Sequence, residues 1–145
     1  MILTSTGLRN YMLATGSARA ALAAGFVKIF SGTPPATADA AETGTLLCTI
    51  SINSSGTGVN LATSAAAGII QKSGSEVWSG VNGATGAAGY FRHVGAADTG
   101  AISTTEPRVQ GTVGTVGTDM ELNSTSLVAA ATQTLDYYSL NLPTV

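Results

Sequence analysis

The chain has 145 residues, about half of them Ala, Gly, Ser and Thr, with 10% charged, 6% aromatic and a net charge of −2. With one His (His93) and one Cys (Cys48), little is present from which to build a catalytic or metal-binding constellation, so neither an enzyme nor a cofactor is expected. The six cations, Arg9, Arg19, Lys28, Lys72, Arg92 and Arg108, form no basic run, which argues against a nucleic-acid partner.

In chain order, residues 1–24 read as helical. Thr4 or Ser5 supplies an N-cap, Leu8, Met12 and Leu13 fall near one face, Gly16 and Ser17 interrupt, and Gly25 is the expected stop. The β-branched and aromatic run at residues 25–32 predicts a strand, which Pro34 and Pro35 force out of the sheet. Residues 45–52 predict a second strand with Leu46, Cys48, Ile50 and Ile52 on one face, so Cys48 is read as a buried small hydrophobe. Residues 53–58 form a turn cluster. Short strands are expected at 59–61, 69–72 and 76–81, then a glycine-rich loop at 82–89 and a strand at 90–94. A long loop at 95–107 leads to strands at 108–116, 120–129 and 132–142, the last ended by Pro143.

About eight strands after one helical segment predict a mainly β, antiparallel, jelly-roll-like sandwich. The expected division is an N-terminal helical arm at 1–24 and a β-sandwich at 25–145, one domain overall. The long connections 33–44 and 95–107 are expected to cross between sheets. No secretory signal is expected, because the N-terminus lacks a basic region and Arg19 interrupts the Ala/Leu-rich stretch. The charge-free residues 43–71 are too rich in Ser, Thr, Asn and Gly to predict a membrane span.

Chemical motifs are weak. Gly56-Thr57-Gly58 lacks the later Gly and the Lys-Ser or Lys-Thr pair of a phosphate loop. His93 with Asp98 is too few ligands for a metal. Glu76 and Trp78 share a strand face, which reads as a sheet-surface contact more than as half of a glycosidase pair. Trp78 is open to two readings, a core residue or an interface anchor.

Several stretches taken together resemble a known family. They are Ser5 to Asn10, Ile29 through Thr33-Pro34-Pro35 to Leu47, Gly74 through Trp78 to Val81, Ala87 to Arg92, and Leu122 to Val128 with the strand after it. They are similar to small virion structural proteins of tailed bacteriophages, and within these most like capsid cement (decoration) proteins. The resemblance implies a homodimer on the outer capsid surface of the virion, with an HK97-like major capsid protein as partner. It carries over no catalytic or ligand residue. Partner contacts are expected from Leu8, Tyr11 and Met12 on the arm, from Pro34 and Pro35, from Trp78, and from Asn82 in the 82–89 loop. Deleting residues 1–10 is then expected to weaken attachment more than folding. The competing reading is a tail or receptor-adhesion module that binds a surface glycan on an aromatic platform such as Trp78 or Tyr137.

Overall fold

The computed structural model describes residues 1–141 and is mainly β, with 38% strand and 9% helix. In chain order it contains β1 (Leu3–Thr4), α1 (Thr6–Ala14), α2 (Ala18–Ala21), β2 (Phe26–Ser31), β3 (Leu46–Ile52), β4 (Ile69–Gln71) and β5 (Trp78–Val81). There follow β6 (Gly86–Val94), β7 (Arg108–Gly114), β8 (Met120–Glu121), β9 (Ser126–Leu127), β10 (Thr132–Thr134) and β11 (Ser139–Asn141). One nine-stranded sheet runs β1-β7-β6-β2-β3-β5-β10, with β8 beside β7 and β9 beside β6; β4 and β11 form a separate ribbon. The pairings are antiparallel except β7 with β8.

The central strands are covered on both faces. Val27 and Ile29 of β2, Phe91 of β6, and Val109 and Val113 of β7 point into the core with Leu47, Cys48, Ile50 and Trp78. The alternate residues Lys28, Phe30, Tyr90, Arg92, Arg108 and Gln110 lie on the opposite face, because side chains alternate along a strand. That face carries buried donors that need acceptors, and residues 33–44 fold over it to supply them. Arg108 Nη1 donates to the carbonyls of Ala38, Asp39 and Ala40, Gln110 Nε2 to that of Pro35, and the Tyr90 hydroxyl to that of Thr43.

The expected sheet crossovers are therefore corrected. β2 pairs with β3 and β6 with β7, so residues 33–44 and 95–107 each join hydrogen-bonded neighbours. Their length serves to cover the outer sheet face, where Glu42 N–H bonds to the Gly100 carbonyl and Ser103 N–H to that of Asp39.

The helical segment at the N-terminus is anchored to the sheet. Ser5 is the N-cap of α1 and is completely buried. Its Oγ accepts from the N–H groups of Leu8 (3.1 Å) and Arg108 (2.9 Å) and donates to the Glu106 carbonyl (2.7 Å). The Asp39 carboxylate takes the Thr6 N–H and hydroxyl, each at 2.7 Å, placing a negative charge at the positive end of the helix. With β1 paired to β7 and Leu8 in the core, residues 1–10 are part of the fold, so their deletion removes an edge strand and a core side chain.

Smaller departures have local causes. A bulge between Ile29 and Phe30 sets Cys48 and Leu46 opposite them, so Leu47 turns inward and Leu46 is 42% exposed. The left-handed residue before β2 is Ala24, not Gly25. β6 starts at Gly86, which shortens the expected 82–89 loop. The expected 120–129 strand divides into β8 and β9, and the 132–142 strand into β10 and β11. Leu142 and Pro143 lie outside the described residues.

Candidate interaction surface

An apolar groove of about 340 Å³ lies between the helices and the β4–β11 ribbon. Leu8 and Met12, one helical turn apart on α1, form one wall with Ala18 of α2. Ile70 and Leu140, cross-strand partners in the ribbon, form the other, and Val109 of β7 lies between. Among the described residues, Arg19 is the only charged side chain in the lining. Leu13 and Ile69, each next in sequence to a lining residue, are 86% and 40% exposed.

A second, polar groove of about 400 Å³ is lined by Asp119, Glu121, Asp136, Tyr137 and several hydroxyls. Asp119 is already held by the Thr112 N–H and hydroxyl, both at 2.8 Å; burial pushes its pKa up, and the hydrogen bonds outweigh this and lower it. Tyr137 is 67% exposed. Ser139 lines this groove and Leu140 the apolar one, so the segment around β11 separates the two.

The remaining charges largely face inward. Lys28 bonds Glu42 at 3.0 Å, Arg108 pairs with Asp98, and Lys72 Nζ donates to the Glu76 carbonyl at 2.8 Å. The Glu76 carboxylate accepts from the N–H and Nδ2 of Asn60 and from Trp78 Nε1, each at 2.9 Å. Burial pushes its pKa up, and these bonds with the charge of Lys72 bring it below the ordinary value. Glu76 is thus a clamp for the Trp78 indole. Arg9, Arg19, Glu121 and Asp136 remain exposed.

The expected contact residues separate into three groups. Leu8 and Met12 meet at the apolar groove, while Tyr11 is half-buried on α1 beside Gly16. Pro34 and Pro35 are half-buried in the flap over the outer sheet face. Leu8, Trp78 and Asn82 are corrected as direct contact residues, being 1%, 0% and 4% exposed; Leu8 forms the buried base of the groove that Met12 lines. Trp78 packs against Tyr138 and His93, and Asn82 Nδ2 donates to the Val128 carbonyl at 3.0 Å, tying β5 to the segment before β10.

Sequence reading missed Ile70, Val109 and Leu140 as groove residues. Each was placed on a strand, but the ladder that brings residue 140 beside residue 70 has no local signature. Among the described residues no three His, Cys, Asp or Glu side chains converge to hold a metal ion, and no helix is long and apolar enough to cross a membrane. No protein-family model, curated protein or solved structure matches the chain.

Proposed function

We propose that this chain is a bacteriophage capsid cement (decoration) protein, a jelly-roll-like sandwich that binds as a homodimer to an HK97-like major capsid protein on the outer surface of the virion and stabilises the lattice. The observation that carries the reading is the apolar groove bounded by Leu8, Met12, Ile70 and Leu140, set in an exterior from which most charges have been withdrawn. Such a surface loses little ion hydration on docking, and one apolar side chain seated in the groove contributes about 1.5–3 kcal/mol. A repeated lattice multiplies that contribution through many linked contacts, and a two-fold dimer presents the groove twice. The proposal assigns no catalytic residue and no cofactor.

The test adds the purified protein to capsids that lack it. Saturable binding is expected, at a copy number close to that of the major capsid protein. Met12→Glu places a carboxylate in the groove; because Met12 packs partly buried against the core, some loss of stability is expected, and binding is expected to weaken at least tenfold at a temperature where circular dichroism shows the variant still folded. Saturation at a handful of copies per particle would sink the reading.

A second reading, a tail or receptor-adhesion module, draws on the polar groove, where the exposed Tyr137 ring lies among carboxylates and hydroxyls suited to a sugar face and its hydroxyl groups. Immuno-electron microscopy that labels tails and leaves capsids bare would favour it over the first.

A further inference from the structure

The nine-stranded sheet ends at β10, which pairs with β5 on one side and with no strand on the other among the described residues. Asn82 N–H donates to the Ala131 carbonyl at 2.9 Å and Leu135 N–H to that of Trp78 at 2.8 Å, with Gln133 opposite Gly80 between them. Residues 131, 133 and 135 therefore turn their backbone groups toward β5. Thr132 and Thr134 turn theirs away, because the direction alternates along a strand. Both are exposed. Among the described residues their outward groups meet one donor, Gln133 Nε2, which reaches the Thr134 carbonyl at 3.0 Å.

Sheet edges are normally blunted by charge, by proline or by a bulge. β10 has none of these: Thr132-Gln133-Thr134 is uncharged and its register against β5 is unbroken. The opposite edge, β1, is two residues long and leads directly into α1. The sequence of β10 also reads the same in both directions about Gln133. In an antiparallel pair with a second copy centred there, Thr132 stands opposite Thr134 of that copy, and Thr134 opposite its Thr132. Each Thr pair exchanges both of its backbone N–H···O bonds, and Gln133 meets Gln133 in the closer, non-bonded pair. Asp136 falls opposite Ala130, so no like charges meet.

We propose that β10 is the surface through which two copies of this chain associate, each adding its β10 to the other across a two-fold axis at Gln133, so that two sheets become one. This rests on the homodimer of the reading above and names its contact. A two-fold interface must be self-complementary, which the symmetric edge is. Strand addition draws affinity from main-chain bonds. Val81, opposite Thr132 and 54% exposed, extends the contact on the outer face. The strand is only three residues long, so the dimer is weak and concentration-dependent.

The experiment combines sedimentation equilibrium of the full chain, from micromolar to millimolar concentration, with cysteine cross-linking. A monomer–dimer equilibrium is expected. Gln133→Lys sets two ammonium groups face to face and weakens it by about fivefold. Gln133→Cys forms an intermolecular disulfide under mild oxidation, because non-bonded antiparallel partners have Cα atoms about 4.5 Å apart. Thr132→Cys does not, since the two copies of residue 132 stand diagonally, about 7–8 Å apart. Cys48 is buried and stays out of both reactions. A dimer that keeps its affinity in Gln133→Lys and gives no Gln133→Cys cross-link overturns this interface and leaves the homodimer standing. A monomer at every concentration, with no cross-link, overturns both. Should Gln133→Lys fail to fold, or the two measurements disagree, the pair of cysteine variants decides.

Discussion

Asp98 and Arg108 form a buried, two-pronged ion pair that ties the 95–107 connection to β7. Arg108 Nε and Nη2 each donate to one carboxylate oxygen of Asp98, the second at 2.7 Å, and the two side chains are 1% and 0% exposed for Arg108 and Asp98. Burial pushes the Asp98 pKa up, but the hydrogen bonds from Arg108 and Gly100 and the Arg108 charge outweigh it and hold the carboxyl below its ordinary value. The same guanidinium reaches the Ala101 carbonyl and three flap carbonyls. One side chain therefore holds both long connections, and Asp98 holds that side chain.

Removing one partner strands the other as a buried charge. Asp98→Ala is expected to lower stability by about 3–5 kcal/mol, measured by urea unfolding. Amide exchange should rise first in residues 37–43 and 98–103, ahead of β2 and β6. Uniform loss of protection across the sheet would contradict the latch.

Stability should fall in acid, in two windows. His93 is completely buried between Trp78 and Tyr138, and burial pushes its pKa down to about 3 from 6.5. The unfolded chain binds this proton below about 6.5 and the folded chain does not until about 3, so stability falls as pH drops between them, by at most about 1.4 kcal/mol per pH unit. The carboxylates Asp98, Glu76, Asp39 and Asp119 have lowered pKa values, so their contribution is full above about 4 and is lost below it. His93→Gln should flatten the profile between pH 6.5 and 4.5 and leave the lower fall in place. An unchanged slope in the upper window would remove His93 as its source.

The strands of the central sheet were legible because their alternation is strong. Val27 and Ile29, or Val109 and Val113, announce a buried face without knowledge of their partners. The outer face was not legible. Arg92 between Phe91 and His93 looks like one of six scattered cations, and only the β2–β6–β7 register brings it beside Lys28 and Gln110. Pro34 and Pro35 were read correctly as leaving the sheet, but the place where the flap lands is set by side chains distant in sequence, such as Arg108 and Tyr90. Of the contact residues, Leu8 and Met12 reach a groove because helical spacing is local. Trp78 and Asn82 are buried because of clamps, from Glu76 and from the Val128 carbonyl, whose geometry is tertiary.

Two small residues in contact, Ala24 before β2 and Gly58 after β3, should respond in opposite senses. Ala24 has φ 53, in the left-handed region, where a Cβ is strained. Ala24→Gly is expected to stabilise the protein by up to about 1 kcal/mol, the strain relief being partly offset by the larger entropy of the unfolded chain. Gly58 packs against the Ala24 backbone so closely that an added Cβ would sit inside the radius of the Ala24 carbonyl oxygen. Gly58→Ala should therefore cost about 1–3 kcal/mol, as overpacking does. Denaturant midpoints of the two variants check this, and a stable Gly58→Ala would mean that the Gly25–Val59 bridge can shift.

Cys48 tests whether the core stays closed. Its thiol is 1% exposed, and burial pushes its pKa up to about 11. A thiolate is the reactive form, so both access and ionisation protect it at neutral pH. Reaction with a chromogenic disulfide reagent should be undetectable on the folded protein and complete once urea passes the unfolding midpoint. The rate at intermediate urea should follow the unfolded fraction, since reaction requires opening of β3 from β2 and β5. Fast labelling without denaturant would instead show that the β3–β5 ladder, only two residue pairs long at Ser51–Ser79 and Ile52–Trp78, opens independently of the rest of the sheet.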